Sequence, residues 1–183
     1  MQSVMTTTMK NCTNYSLLVC ISLLFLNACA GREPFIDTLD HGKTWEEIVP
    51  NLPPYPQNDN LLTFDAGSTN VLSFFIDANS ISVDKKLRVI RYSLIIRSEQ
   101  GGDNVSYEAL RCETRERKRY AIGDPSTSSW MPIRISEWET LEQVRQLHAQ
   151  RELSKYYFCP RGLVVNSPEE AIHALKAGIH PKA

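Results

Sequence analysis

An apolar run from Leu17 to Leu26, closed by Leu26-Asn27-Ala28-Cys29, decides which part of this chain is available to fold. Its layout is that of a secretory segment: a lysine at Lys10, an apolar stretch of about ten residues, then small residues before a cut. A membrane-spanning helix needs about 20 apolar residues. Even the generous span from Tyr15 to Ala30 contains Ser16, Ser22 and Asn27, so the run is too short and too polar to cross. Residues 1–28 are therefore read as a processing segment and residues 29–183 as the chain that folds. Met1 to Thr8 carry no positive charge, whereas a start at Met9 places Lys10 beside the initiator, which makes Met9 the better-formed start.

The cysteine directly after Ala28 makes the segment resemble a bacterial lipoprotein signal. That resemblance implies a diacylglycerol on the Cys29 sulfur, cleavage before it, and acylation of the new amino group. Plain secretion with a cut at Ala28 or Ala30 is the alternative. Ala30, in place of an aspartate, resembles lipoproteins sorted to the outer membrane. The implied address is the cell envelope, lipid-anchored and facing the periplasm. The implied partner is the membrane, reached through the anchor.

Processing leaves 155 of the 183 residues, the size of one ordinary domain. Lys10 is the only charge removed, so 19 basic residues face 21 acidic ones, a balance that argues against a nucleic-acid partner. Cys12 and Cys20 leave with the segment and Cys29 is used by the lipid, so Cys112 and Cys159 remain. In an oxidising compartment an even pair is most simply a disulfide. The rival reading is a catalytic thiol, for which His148 is the candidate base by sequence distance alone. His41, His148, His173 and His180 show no metal-binding spacing, and no cofactor is expected.

Residues 29–44 read as a lipidated N-terminus and tether, and residues 45–183 as one domain. A proline-rich strap, Pro50 to Pro56, opens it, with Trp45 and Tyr55 as anchors. Leu72, Phe74 and Ile76 alternate with Ser73 and Asp77, and Ile90, Tyr92, Leu94 and Ile96 with Arg91, Ser93 and Arg97. This is the period of strands with one core face and one wet face. Asp84-Lys85-Lys86 and Glu99 to Asp103 suit the intervening turns. The next strand is expected from about Asn104 through Tyr120, with a bulge near Glu108 or Ala109 to reconcile its two apolar sets.

Two helices should follow. Ser136 with Glu139 forms a capping-box pattern ahead of a stripe at Trp138, Leu141, Val144 and Leu147. Ser167-Pro168-Glu169-Glu170 repeats the pattern, with Gly178 as the stop. Tyr156 to Pro160 reads as a short strand or packed segment pinned by Cys159. Strands first and helices last predict an α+β fold, a single domain whose antiparallel sheet carries two C-terminal helices on one face.

The one notable charge cluster runs from Arg111 to Arg119. As a strand it would align Arg111, Arg115, Arg117 and Arg119 on one face, a candidate anion-binding row for a glycan phosphate or lipid headgroup. The plainer reading is a solvated face of cross-strand ion pairs.

The segments Asn104 to Cys112, Phe74 to Asp77, and Tyr156 to Pro160 resemble the cryptic neisserial protein-like family of uncharacterised exported bacterial proteins, over roughly Trp45 to Ile172. The resemblance implies no catalytic residue, cofactor or substrate. It places both remaining cysteines inside motif segments, which fits a structural pairing. Two classes stay open. The preferred one is a non-catalytic binding or scaffolding module for an envelope protein or anionic glycan. The other is an envelope hydrolase using carboxylates at Asp65, Asp77 and Glu108, recognisable by their convergence in a cleft.

Overall fold

In the computed structural model the residues described are 50–67, 71–142 and 146–183, all within the unit Trp45–Ala183. The processing segment, Cys29, the tether and Trp45 lie outside them. The fold is α+β, as the order of elements predicts: an antiparallel sheet followed by two C-terminal helices. Its strands are β1 (Leu61–Thr63), β2 (Leu72–Asp84), β3 (Val89–Ser98), β4 (Asp103–Arg111), β5 (Glu116–Asp124), β6 (Ser129–Pro132) and β7 (Glu139–Thr140). The first six pair in sequence order, and β7 pairs with β5.

Phe74, Ile76, Ile90, Tyr92, Leu94 and Leu110 form the sheet's contribution to the main core. Two irregularities set which residues join it. In β2 the ladder with β3 shifts between Asp77 and Ser82. There the Ser80 hydroxyl donates to the Asp77 carbonyl at 2.7 Å and accepts from the Ser93 amide at 2.7 Å. This hydroxyl stands in for the missing ladder bond, and the extra residues turn Ile81 onto the same face as Ile76. In β5, Tyr107 opposes Ala121 while Glu108 opposes Arg119, so Tyr120 is the extra residue. A bulge at the level of Glu108 is thus present, carried by β5 and not by the strand that holds Glu108.

Three expectations are corrected here. The segment from Asn104 to Tyr120 is not one strand but a hairpin, turning through Cys112 to Arg115, with Arg115 in the left-handed region at φ 54°. The second face of the sheet is not wet: Val89, Tyr107, Ala109, Tyr120 and Ala121 form a second core there, packed with Leu52, Trp130 and Trp138. The strap covers it, fixed by the Trp130 indole donating to the Pro53 carbonyl at 2.8 Å and by Tyr55 packed on Trp130. The helix expected from Ser136 does not form. Glu139 and Thr140 pair with β5, and the first helix, α1, starts at His148.

The helical layer consists of α1 (His148–Glu152), which runs on as a π-helical stretch over Leu153–Phe158, and α2 (Pro168–Ala177). The expected start and stop of α2 are in place. Ser167 Oγ accepts from the Glu170 amide at 3.3 Å, and Gly178 closes the helix at φ 79°. Tyr156 to Pro160 is the packed segment expected, helical and not extended, with Tyr157, Phe158 and Cys159 buried in the main core.

Gly123 is the tightest point under the strap. A Cβ there would lie 2.7 Å from Val105 Cβ and 2.9 Å from the Tyr55 ring. Gly123→Ala is expected to destabilise the domain by about 1–3 kcal/mol. It should also shift the Trp130 emission as Tyr55 is displaced. Unchanged emission and unchanged urea midpoint would show that the strap does not depend on this contact.

Candidate functional site

Polar chemistry gathers in two places. The first is the helix-facing row of β4, where Glu108 sits opposite Tyr92 of β3 and Arg119 of β5. Glu108 is 2% exposed. Its Oε1 accepts from Ser106 Oγ at 2.9 Å and its Oε2 from Gln150 Nε2 of α1 at 2.8 Å. Arg117 Nε lies 3.7 Å from Oε2 and Arg119 Nε 3.8 Å from Oε1. Arg117 is itself buried and pairs outward with Glu139 of β7 at 3.0 Å. Burial first and the Glu108 charge second push the Tyr92 hydroxyl well above its ordinary value, against a smaller opposite pull from Arg117. Tyr92 therefore stays a neutral phenol. One carboxylate meets two guanidiniums here, with Glu108 and Arg117 buried and Arg119 partly exposed at the edge.

The second place surrounds the disulfide. Cys112, just past β4, is bonded to Cys159 at the end of the π-helical stretch, with Cα atoms 5.4 Å apart and both side chains buried. This leaves neither cysteine as a free thiol. Around the bridge lies a pocket of about 440 Å³ lined by Arg115, Lys155, Cys159, Arg161, Gly162 and Lys182, among others. Arg115 comes from the β4–β5 turn and pairs with Glu142. Arg161 comes from the turn after Cys159 and adopts φ 57°, with Gly162 beyond it at φ 78°. The Lys182 backbone amide donates to His180 Nδ1 at 3.0 Å, and the His180 amide donates to the Tyr156 carbonyl at 2.7 Å while its Nε2 meets Glu170 at 2.9 Å. The Asn166 amide, first, and then the His180 ring hold the Glu170 carboxyl down at about 2.

The predicted arginine row is not assembled. Arg117 and Arg119 share the helix face of β5 with Glu108, whereas Arg111 ends β4 on the other face, over the Trp138 ring at 4.0 Å and 3.0 Å from Glu116. Arg115 belongs to the turn. Each of the four arginines meets a carboxylate. The three carboxylates of the hydrolase reading do not converge either. Glu108 faces the helices, and Asp77 caps the β2 bulge on the opposite face, accepting from the Asn79 amide at 3.1 Å, its carboxyl raised by burial. Asp65 accepts from the Gly67 amide in an exposed loop. Among the described residues no group of three His, Cys, Asp or Glu side chains is placed to hold a metal ion.

Sequence reasoning missed Gln150, Lys155, Arg161 and Lys182. A signal for part of this set was present: Arg115 lies three residues after Cys112, and Arg161 two after Cys159. Bonding the cysteines brings the two arginines together. A larger open groove, about 620 Å³, runs between the strap and the segment after β6, lined by Leu52, Lys118, Tyr120, Ile133, Ile135 and Glu137 among others. Its charged groups are few and of both signs.

Compared with known proteins, residues 40–176 match the family model described as the CNP1-like family, a span that contains every described strand, α1 and both bridged cysteines. No curated protein and no solved structure matches the chain.

Proposed function

The chain belongs to the CNP1-like family, and we propose that it is an envelope lipoprotein that works by binding or scaffolding and not by catalysis. Acyl chains on Cys29 hold its sheet domain on the periplasmic side, at the outer membrane. The observation that carries the non-catalytic reading is the state of Glu108. Among the described residues it is the most deeply buried carboxylate, it accepts from Gln150 of α1, and its charge is met by Arg117 and Arg119. A general acid or base needs hydrogen-bond reach to a substrate proton, and Gln150 occupies that approach. The disulfide supports an oxidising compartment.

The anchor is tested at Cys29. Each buried methylene contributes about 0.8 kcal/mol to membrane binding, and stable anchoring takes more than one chain. Wild-type protein should carry acyl mass and sediment with membranes, and Cys29→Ser protein should lose that mass and move to the soluble fraction. Wild-type protein without acyl mass, together with a Cys29→Ser variant that still sediments with membranes, overturns the anchor.

A further inference from the structure

We propose that the pocket beside the disulfide is a binding site for a phosphate-bearing dianion. Four cationic side chains from four separate segments, Arg115, Lys155, Arg161 and Lys182, line one predominantly polar cavity of about 440 Å³. Glu142, outside the lining, takes up one of these charges through Arg115, and no aspartate or glutamate lines the pocket. The surplus is at least two positive charges. Among the described residues neither Arg161 nor Lys182 has an ion pair. A carboxylate would neutralise at most half of that surplus, whereas a phosphate monoester or pyrophosphate carries two negative charges or more. Two guanidiniums supply planar forks for its oxygens and two ammoniums supply point charges.

The backbone carries an independent sign of the same function. Arg161 takes a left-handed conformation that is unfavourable for a residue with a Cβ. The turn is imposed by the Gly162 amide bonding to the Cys159 carbonyl at 2.9 Å, the Leu163 amide bonding to the Pro160 carbonyl at 3.1 Å, and the bridge at Cys159. Arg161 is exposed and belongs to neither hydrophobic core. The turn places Arg161 in the lining of the pocket together with Arg115. The disulfide joins these two turns, and so acts as a positioning element for both arginines.

The site rests on the binding reading but not on the anchor, so it is tested on the full chain in nonionic detergent micelles. Inorganic pyrophosphate is titrated by calorimetry at constant ionic strength, and in a separate arm the micelles are doped with phosphatidic acid or with phosphatidylcholine. Arg161→Ala and Lys182→Ala should each weaken binding roughly fivefold, and the Arg161→Glu, Lys182→Glu pair should abolish it without changing the melting temperature. Lys85→Ala and Lys86→Ala, exposed in the β2–β3 turn, should bind as wild type does. Saturable pyrophosphate binding with this pattern identifies a soluble phosphate ligand. The same pattern seen only with phosphatidic acid identifies a lipid headgroup. Binding no stronger than a chloride control in both arms, or equal losses in the pocket and turn variants, overturns the site. Acyl mass at Cys29 is read separately, so a failed anchor and a failed pocket are told apart.

Discussion

Replacing Cys112 by serine is expected to destabilise the domain by about 4 kcal/mol, the chain-entropy value for a closed loop of this length. The bridge spans 47 residues and ties the end of β4 to the end of the π-helical stretch. Without it, the helical layer keeps its packing on the sheet, the Gln150–Glu108 hydrogen bond and the connection that follows β7, but no covalent cross-link. Ordinary domains are stable by about 5–15 kcal/mol in total, so the loss is a large share. Both sulfurs are buried, and the serine hydroxyl adds an unmet polar group in the same place. Cys159→Ser should behave alike, and the double variant should be little worse than either single one, because the bond is already gone. Urea denaturation of wild type with and without a reductant, beside the three variants, measures this. Additive losses in the double variant, or rapid alkylation of a cysteine in folded, unreduced protein, contradict a structural disulfide.

What the sequence makes legible divides along local and non-local lines. The boundaries of α2 are readable because Ser167, Pro168 and Gly178 act within a turn of themselves. The alternation in β2 and β3 is readable because a strand's faces follow from its own residues. The stretch around Glu139 is misleading for the opposite reason. Its Ser136–Glu139 pattern and apolar spacing suit a helix, yet Trp138 packs on one face of the sheet and Leu141 on the other, and Glu139 pairs with Arg117. A tertiary ion pair and two ladder positions with β5 override the local preference.

The hairpin between β4 and β5 is hidden because its turn, Cys112-Glu113-Thr114-Arg115, contains no glycine, proline or asparagine, and Arg115 takes the left-handed position. Hence the arginines look like one row when they belong to two faces and a turn. The second core is equally hidden. Tyr107, Tyr120 and Ala121 are covered by a strap that arrives from some fifty residues upstream. The basic pocket needs both the disulfide and the C-terminal tail, whose Lys182 no local pattern connects to Arg115.

Truncating Glu108 should be as damaging as losing the disulfide. Removing one partner of a buried ion pair costs about 3–5 kcal/mol because the other charge stays buried without compensation. In Glu108→Ala, Arg117 at 5% exposure keeps only Glu139, which is 46% exposed and therefore a screened partner. Gln150 Nε2 and Ser106 Oγ each lose their acceptor as well. Arg117→Ala should cost a similar amount, since Glu108 then has Arg119 alone, at 3.8 Å. The double variant Glu108→Leu, Arg117→Met fills the volume and removes both charges, so it should recover most of the loss, as buried pairs replaced by apolar groups commonly do. The double-mutant cycle should thus be strongly non-additive. Its sign also separates the two function classes. A catalytic carboxylate is held in place at the expense of stability, so its removal typically stabilises a protein. If Glu108→Ala raised the urea midpoint, the cluster would be an active-site remnant under strain; the expected fall identifies it as a structural ion cluster within the sheet, tied to α1 by the Gln150 hydrogen bond.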